Sequence, residues 1–156
     1  MRRPAALAAV LALAMSGCAA SGLSFVQDER VQDLRPRPGD TVKLPFDLTW
    51  SVRDFDGRFA VFFDTRAMRP GKDLLSLVPE DDPCRTEPEC PTTTWLNERG
   101  IHVTDEPRLH VELLPDRRKN NRSKDRHEAV VVLLDAENRR VGEAAFVTEF
   151  VVDRED

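Results

Sequence analysis

The sequence predicts an all-β protein, a two-sheet sandwich with one or two short helical turns, and three observations support this. Apolar and polar residues alternate from Phe46 to Arg53, which is the period of a strand with one buried face. About seven short strands follow one another, separated by turn residues at the spacing of a sandwich. Eleven prolines and the lack of a long helical period leave little room for extended helices.

The first two predicted strands are the clearest. One spans Thr41 to Arg53, and Pro45 near its start indicates an edge strand or a strand that changes sheet. The Asp-Gly pair in Asp54 to Gly57 is a strong hairpin signal, so we expect the strand Arg58 to Thr65 to return beside the first. This second strand is apolar on both faces, which predicts that it is covered on both sides.

The middle of the chain is less regular. Residues 72–78 fit a short helix capped by Asp73 or a strand, and we favour the helical turn. Thr93 or Thr94 can cap a further helical turn that ends at Gly100. Short strands are predicted at 101–103 and 109–113, with His102 and His110 on the outward-facing parity.

The last third of the chain predicts a closing pair of strands. A loop spans 115–128, Ala129 to Leu134 is an apolar central strand, and Arg140 to Val152 is the last strand. Trp50 on an early strand and the closing hairpin of residues 129–152 resemble an immunoglobulin-like layout. That resemblance implies an architecture and carries no activity by itself.

The chain opens with an apolar segment behind two positive charges. Arg2 and Arg3 precede an uninterrupted apolar run from Ala5 to Met15. The run is about half as long as a membrane-spanning helix, which needs roughly 20 apolar residues. A short apolar core behind a positive start is typical of an export signal.

The end of this signal, Met15-Ser16-Gly17-Cys18, resembles the lipobox of bacterial lipoproteins, although that family prefers Leu where Met15 stands. The resemblance implies that residues 1–17 are a signal peptide and that Cys18 becomes the acylated first residue, which anchors the protein in the lipid bilayer. The alternative is an ordinary secretory signal cleaved near Ala19 and Ala20. No Asp follows Cys18, which among Gram-negative lipoproteins favours the outer membrane.

The mature chain divides into two parts. Residues 18–40 contain few large apolar residues and end in a Pro- and Gly-rich stretch, so we expect a lipid-anchored flexible tether. Residues 41–153 form the β-sandwich domain. Segments 59–71 and 84–104 resemble those of uncharacterised exported proteins of high-GC bacteria, which implies export and no activity.

Two cysteines remain if Cys18 carries lipid. Cys84 and Cys90 then form a pair, and in an oxidising compartment such a pair predicts a disulfide. Metal binding is the alternative, but five intervening residues and no nearby Cys or His make poor ligand spacing.

The net charge of the chain and the position of its basic residues limit the classes of partner that we expect. The chain has 28 acidic residues against 23 basic ones and a formal net charge of −5, which argues against a nucleic-acid partner. Basic residues are concentrated in the loop 115–128, which is either a solvated surface or a loop that binds an envelope protein or a phosphate-rich envelope polymer. The residues of this basic loop are Arg117, Arg118, Lys119, Arg122, Lys124 and Arg126.

The sequence contains no recognisable catalytic motif. No G-x-S-x-G and no phosphate-binding loop is present, and we predict no cofactor. The three histidines are not spaced as metal pairs, and we interpret them as hydrogen-bonded or solvated. We therefore expect an envelope-anchored lipoprotein with a binding or structural domain and no catalytic activity. The alternative is an extracytoplasmic metal-handling protein or hydrolase that uses His102 or His127 with nearby acids.

Overall fold

Eight strands make up the sheets in the part of the chain that the computed structural model describes, residues 28–117 and 125–154. They are β1 (Val31–Arg35), β2 (Thr41–Val42), β3 (Phe46–Val52), β4 (Arg58–Phe63), β5 (Ile101–Thr104), β6 (Arg108–Val111), β7 (Asp125–Leu134) and β8 (Phe146–Val152). Two 3₁₀ turns, Leu74–Leu77 and Pro83–Thr86, and one helix, α1 (Thr93–Asn97), lie between β4 and β5. Within the described residues, no helix has the length and apolar character needed to cross a membrane.

The strands form two sheets. Sheet A has the order β1-β3-β6, and sheet B has the order β2-β8-β7-β4-β5. Neighbouring strands are antiparallel except β2, which runs parallel to β8. The predicted all-β sandwich with short helical turns is confirmed. Trp50 is buried between the sheets, and β7 pairs with β8.

Sheet B is covered on both faces, as predicted for β4, because its central strands are apolar on both sides. The inner core lies between the two sheets and includes Leu48, Trp50, Phe59, Val61, Val131 and Phe150. The outer core lies beneath residues 64–100 and includes Ala60, Phe62, Met68, Leu74, Leu96 and Val132.

The chain changes sheet on both sides of β3. Pro45 separates β2 in sheet B from β3 in sheet A, in agreement with the predicted change of sheet. The hairpin predicted at Asp54 to Gly57 is wrong, because β3 and β4 lie in different sheets. Gly57 has another role here: a Cβ atom at this position would collide with the carbonyl oxygen of Leu134 and the ring of Phe55. The glycine therefore permits a close approach to β7.

The sandwich begins at Val31, ten residues before the predicted boundary, so residues 31–35 do not belong to a flexible tether. They form β1, which pairs with β3, and Val31 is buried in the inner core. A bulge between Gln32 and Arg35 breaks the alternation of apolar and polar residues in this strand, so its sequence lacks the period of 2 that predicts a strand. The predicted signal peptide, and the tether up to residue 27, lie outside the described residues.

Local side-chain contacts explain the remaining boundaries. The favoured helical turn is present at Leu74–Leu77, where Asp73 accepts a hydrogen bond from the Ser76 amide at 3.0 Å. Thr92, and not Thr93 or Thr94, caps α1 by accepting from the Trp95 amide. The last strand begins at Phe146 because the Arg140 guanidinium donates to the carbonyl oxygens of Met68, Glu143 and Ala144, which holds residues 140–145 in a loop.

Candidate functional site

The predicted disulfide is confirmed. Cys84 and Cys90 are bonded to each other, with their Cα atoms 5.6 Å apart, so neither sulfur is free to bind a metal. The disulfide loop is tied to α1, because Asp82 accepts hydrogen bonds from the Cys84 amide at 2.9 Å and from the Trp95 indole at 3.1 Å. Cys18, the predicted lipidation site, lies outside the described residues.

The basic loop is only partly within the described chain. Residues 118–124, with Arg118, Lys119, Arg122 and Lys124, lie outside it. Arg117 and Arg126 are described, and both line a small cavity of about 400 Å³ that also contains Glu128 and Glu149. Arg117 forms an ion pair with Asp64, whose Oδ1 lies 2.9 Å from Arg117 Nη1. The surroundings of these two arginines are therefore of mixed charge.

A buried cluster of charged side chains lies where β4 ends beside β7. His127 Nδ1 is hydrogen-bonded to Asp64 Oδ2 at 2.6 Å, and His127 Nε2 lies 3.2 Å from Asp125 Oδ1. The second contact has the distance of an ion pair but not the angle of a hydrogen bond, since His127 Nε2 has no hydrogen-bond partner in the described chain. The side chains of His127 and Asp125 are fully buried, and the imidazole stacks on Phe150.

Two arginines connect this cluster to the ends of neighbouring segments. Asp125 accepts hydrogen bonds from the Arg117 amide at 2.8 Å and from Arg154 Nε at 2.5 Å. Arg154 Nη2 also donates to the carbonyl oxygen of Leu114 at 2.7 Å. The cluster thus holds residues 114–117 against β7 and against the residues that follow β8.

The cluster shifts the pKa values of its members. Burial opposes the charged imidazolium, but the hydrogen bond and charge of Asp64, together with the nearby charge of Asp125, outweigh it and raise the pKa of His127. Burial likewise opposes the charge of Asp64, yet the contacts with His127, the Glu128 amide and Arg117 lower its pKa. The pKa of Asp125 is also lowered, because Arg154, the Arg117 amide and His127 outweigh burial.

This arrangement favours a structural role for His127. Each ring nitrogen faces a carboxylate, so a protonated His127 has no lone pair to offer a metal ion or a substrate. Its side chain is also closed off from solvent. The interpretation of His127 as a hydrogen-bonded histidine agrees with this geometry.

Sequence reasoning missed Asp64, Asp125 and Arg154 as partners of His127. Asp125 was placed in a loop, but β7 begins there, four residues before the predicted start at Ala129. A signal was available, because Asp125 and His127 share the parity of Ala129 and Val131 and so point into the inner core. Nothing local connects Asp64 with His127, since 63 residues separate them.

A groove opens on the side of the sandwich where β5 ends sheet B and β6 ends sheet A. The two strands are connected through residues 105–107, where the Thr104 hydroxyl donates to the carbonyl oxygens of Glu106 and Arg108. Beside the level of His102 and Leu109 the two strands border a groove of about 890 Å³ that extends to Gly100 and Leu113. Its floor is formed by Phe63, Leu109, Val111 and Leu114.

His102 lies in this groove, which corrects its predicted outward orientation. Its pairing partner Val61 belongs to the inner core, so His102 is on the inner face of sheet B, while Ile101 packs in the outer core. The imidazole meets the Phe63 ring edge-on, with 5.7 Å between centroids, and burial lowers its pKa. His110 points the other way, is exposed as predicted, and contacts Asp47 at 2.7 Å.

The groove and the buried cluster share Asp64 and Arg117. Across residues 28–117 and 125–154, no group of three or more His, Cys, Asp or Glu side chains has the arrangement of a metal site. No protein-family model matches the chain, and no match was found among curated proteins or solved structures. The groove is therefore the candidate functional site on its geometry alone.

Proposed function

We propose that this chain is an exported lipoprotein of the cell envelope whose β-sandwich binds a small molecule in the groove between β5 and β6. The acylated Cys18 anchors it to the bilayer, in the outer membrane if the host is Gram-negative. The lipobox-like residues 15–18 support the anchor. The Cys84–Cys90 disulfide supports an extracytoplasmic location, because such bonds persist in oxidising compartments.

The observation that carries the binding function is the groove itself. Its volume of about 890 Å³ falls within the range of small-molecule sites, roughly 300–1,000 Å³. Apolar side chains form its floor, and polar groups such as His102 and Asn97 stand at its sides. An apolar concave surface with a few polar groups is the usual form of a ligand site.

Binding without catalysis fits the chemistry of these side chains. Among the described residues that line the groove, none is a Ser, Thr or Cys that could act as a nucleophile beside His102. The other buried histidine, His127, is held by two carboxylates. We therefore propose a binding role, in preference to a hydrolase or metal-handling role that uses His102 or His127.

The function is tested by recovering the bound molecule. The full-length protein is purified from the envelope of its native host, denatured, and its released small molecules are identified by mass spectrometry. The comparison variant is Leu109→Trp, which fills the groove floor. The matched control is Leu75→Trp, which adds the same side chain at an exposed position outside the groove lining.

We expect one molecule to accompany the wild type and Leu75→Trp at near-stoichiometric amounts and to be absent from Leu109→Trp. Circular dichroism of each variant checks that the β structure is retained. If the same molecules accompany all three proteins in equal amounts, or if none is recovered, the groove is not the binding site and the proposal is wrong.

A further inference from the structure

The groove has an apolar floor with an exposed apolar side chain at its mouth. Phe63, Val111 and Leu114 are buried in the inner core, and Leu109 packs beside them. Leu113 lies between Val111 and Leu114 in the sequence and is 84% exposed, the largest exposure among the described large hydrophobic residues. A ligand with an apolar body would remove this surface from water, which favours binding in proportion to the area covered.

The two arginines that line the groove in the described part of the chain have partners within the protein. Arg117 is paired with Asp64 at 2.9 Å. Arg99 lies over the Trp95 ring, 3.8 Å from its centroid, and 3.7 Å from both Glu98 and Asp82. An anionic ligand would compete with these contacts and with the acidic groups Asp64, Glu98 and Glu112 that line the same groove.

His102 offers hydrogen-bonding groups beside the apolar floor of the groove. In the described part of the chain its imidazole contacts the Phe63 ring and has no hydrogen-bond partner. Because burial lowers its pKa, the ring is neutral at neutral pH. A neutral imidazole offers one N–H donor and one nitrogen acceptor.

We propose that the groove binds a neutral amphipathic small molecule, whose apolar body covers Leu109, Leu113 and Leu114 and whose polar group hydrogen-bonds to His102. This inference rests on the proposed binding function and specifies the class of its ligand. The volume suits an aromatic ring system or a short acyl chain that carries one uncharged hydroxyl, amine or amide.

The test uses two fluorescent probes that differ in charge. N-phenylnaphthylamine is neutral and carries one N–H, whereas anilinonaphthalene sulfonate has the same ring system and an added sulfonate. Each is titrated into the full-length exported chain carrying Cys18→Ala, which avoids the lipid or detergent phase that would itself take up the neutral probe. We expect one neutral probe to bind per chain, at least tenfold more tightly than the sulfonate.

Three variants locate the bound probe. His102→Phe keeps the ring contact with Phe63 but removes the hydrogen bond, and we expect about threefold to tenfold weaker binding of the neutral probe. Leu113→Ala removes an exposed side chain at the mouth and should also weaken binding. Val147→Ala is its matched control, because Val147 is a 48% exposed apolar residue outside the groove lining.

The outcomes distinguish a failure of the inferred ligand class from a failure of the proposed binding function. If the sulfonate binds as tightly as the neutral probe, or if His102→Phe leaves the affinity unchanged, the inferred ligand class is wrong even when a groove-dependent molecule is recovered from the envelope. A charged molecule recovered from the native protein would overturn it equally. If Leu109→Trp binds the neutral probe like the wild type, or neither probe binds, the groove proposal fails together with its ligand class.

Discussion

Asp64 and His127 are 63 residues apart in sequence, and a hydrogen bond of 2.6 Å joins their side chains. Asp64 directly follows β4, and the same carboxylate accepts from the Glu128 amide at 2.9 Å and pairs with Arg117. One carboxylate thus connects the end of β4, the strand β7 and the segment that forms one side of the groove. That side of the groove is therefore held to the two strands by a buried cluster of charges.

The first prediction concerns the deepest carboxylate of this cluster. Asp125→Asn leaves Arg154, the Arg117 amide and a charged His127 without their common anion. Because breaking a buried ion pair from one side is strongly destabilising, we expect a loss of about 3–5 kcal/mol in unfolding free energy. Urea unfolding followed by circular dichroism measures it.

The matched control for this substitution is Asp47→Asn. Asp47 also contacts an imidazole, His110, at 2.7 Å, but both side chains are about half exposed. Exposed ion pairs contribute at most about 1 kcal/mol, so this variant should unfold nearly as the wild type does. Equal losses in the two variants would contradict a structural role for the buried cluster.

The second prediction is a pH dependence that His127 imposes on stability. The folded-state pKa of His127 is raised above its unfolded value of about 6.5. Its contribution is therefore complete below about pH 6.5 and is lost as the pH rises through the folded-state pKa. His127→Gln should cost more stability at about pH 5.5 than at about pH 9, as thermal unfolding at the two pH values will measure.

The pKa values of the two carboxylates shift in the opposite direction from that of His127, and they set the lowest pH at which that experiment is run. The pKa values of Asp64 and Asp125 are lowered on folding, so their contribution is present above about pH 4 and is lost on further acidification. Both measurements stay above that range. His110→Gln removes an exposed imidazole and is the control. A His127→Gln penalty that is the same at both pH values, or larger at the higher one, would show that His127 is not charged in the fold.

The strands that follow simple patterns could be predicted from the sequence. Alternation of apolar residues located β3, and apolar residues on both faces identified β4 as a strand covered on both sides. Pro45 indicated the change of sheet, since a residue without a backbone N–H interrupts a strand. Each of these patterns lies within a short stretch of the chain, so it can be recognised without knowing which distant residues the stretch contacts.

Features that depend on distant partners could not be predicted in the same way. β1 has its alternation broken by a bulge, and its stability comes from pairing with β3. The outward orientation predicted for His102 failed because parity identifies a face only when one face is buried, and sheet B is buried on both. The groove arises from two strand edges in different sheets, which the sequence does not place side by side.

The third prediction concerns the Cys84–Cys90 disulfide. It closes a loop with a sequence separation of only 6 residues, so constraint of the unfolded chain contributes about 2–3 kcal/mol. We expect reductant to lower the unfolding free energy by about this amount, as urea titrations with and without dithiothreitol will measure. The double variant Cys84→Ser, Cys90→Ser should start at the lower stability and not respond to reductant. If the wild type has the same unfolding free energy with and without reductant, the disulfide does not contribute this stability.

The last prediction tests the anchor on which the proposed location depends. Residues 15–18 resemble a lipobox, so Cys18→Ala should remove the acylation site and release the protein from membranes. Stable anchoring takes two or more acyl chains, and an acidic chain gains no attraction to anionic lipid that could replace them.

Membrane fractionation followed by immunoblotting measures the release, and thiol labelling should still find Cys84 and Cys90 oxidised, because their bond does not involve Cys18. Ser16→Thr, which leaves the cysteine in place, is the control for a general effect on export. If the Cys18→Ala protein stays in the membrane fraction after a high-salt wash, the protein is held there by something other than acylated Cys18.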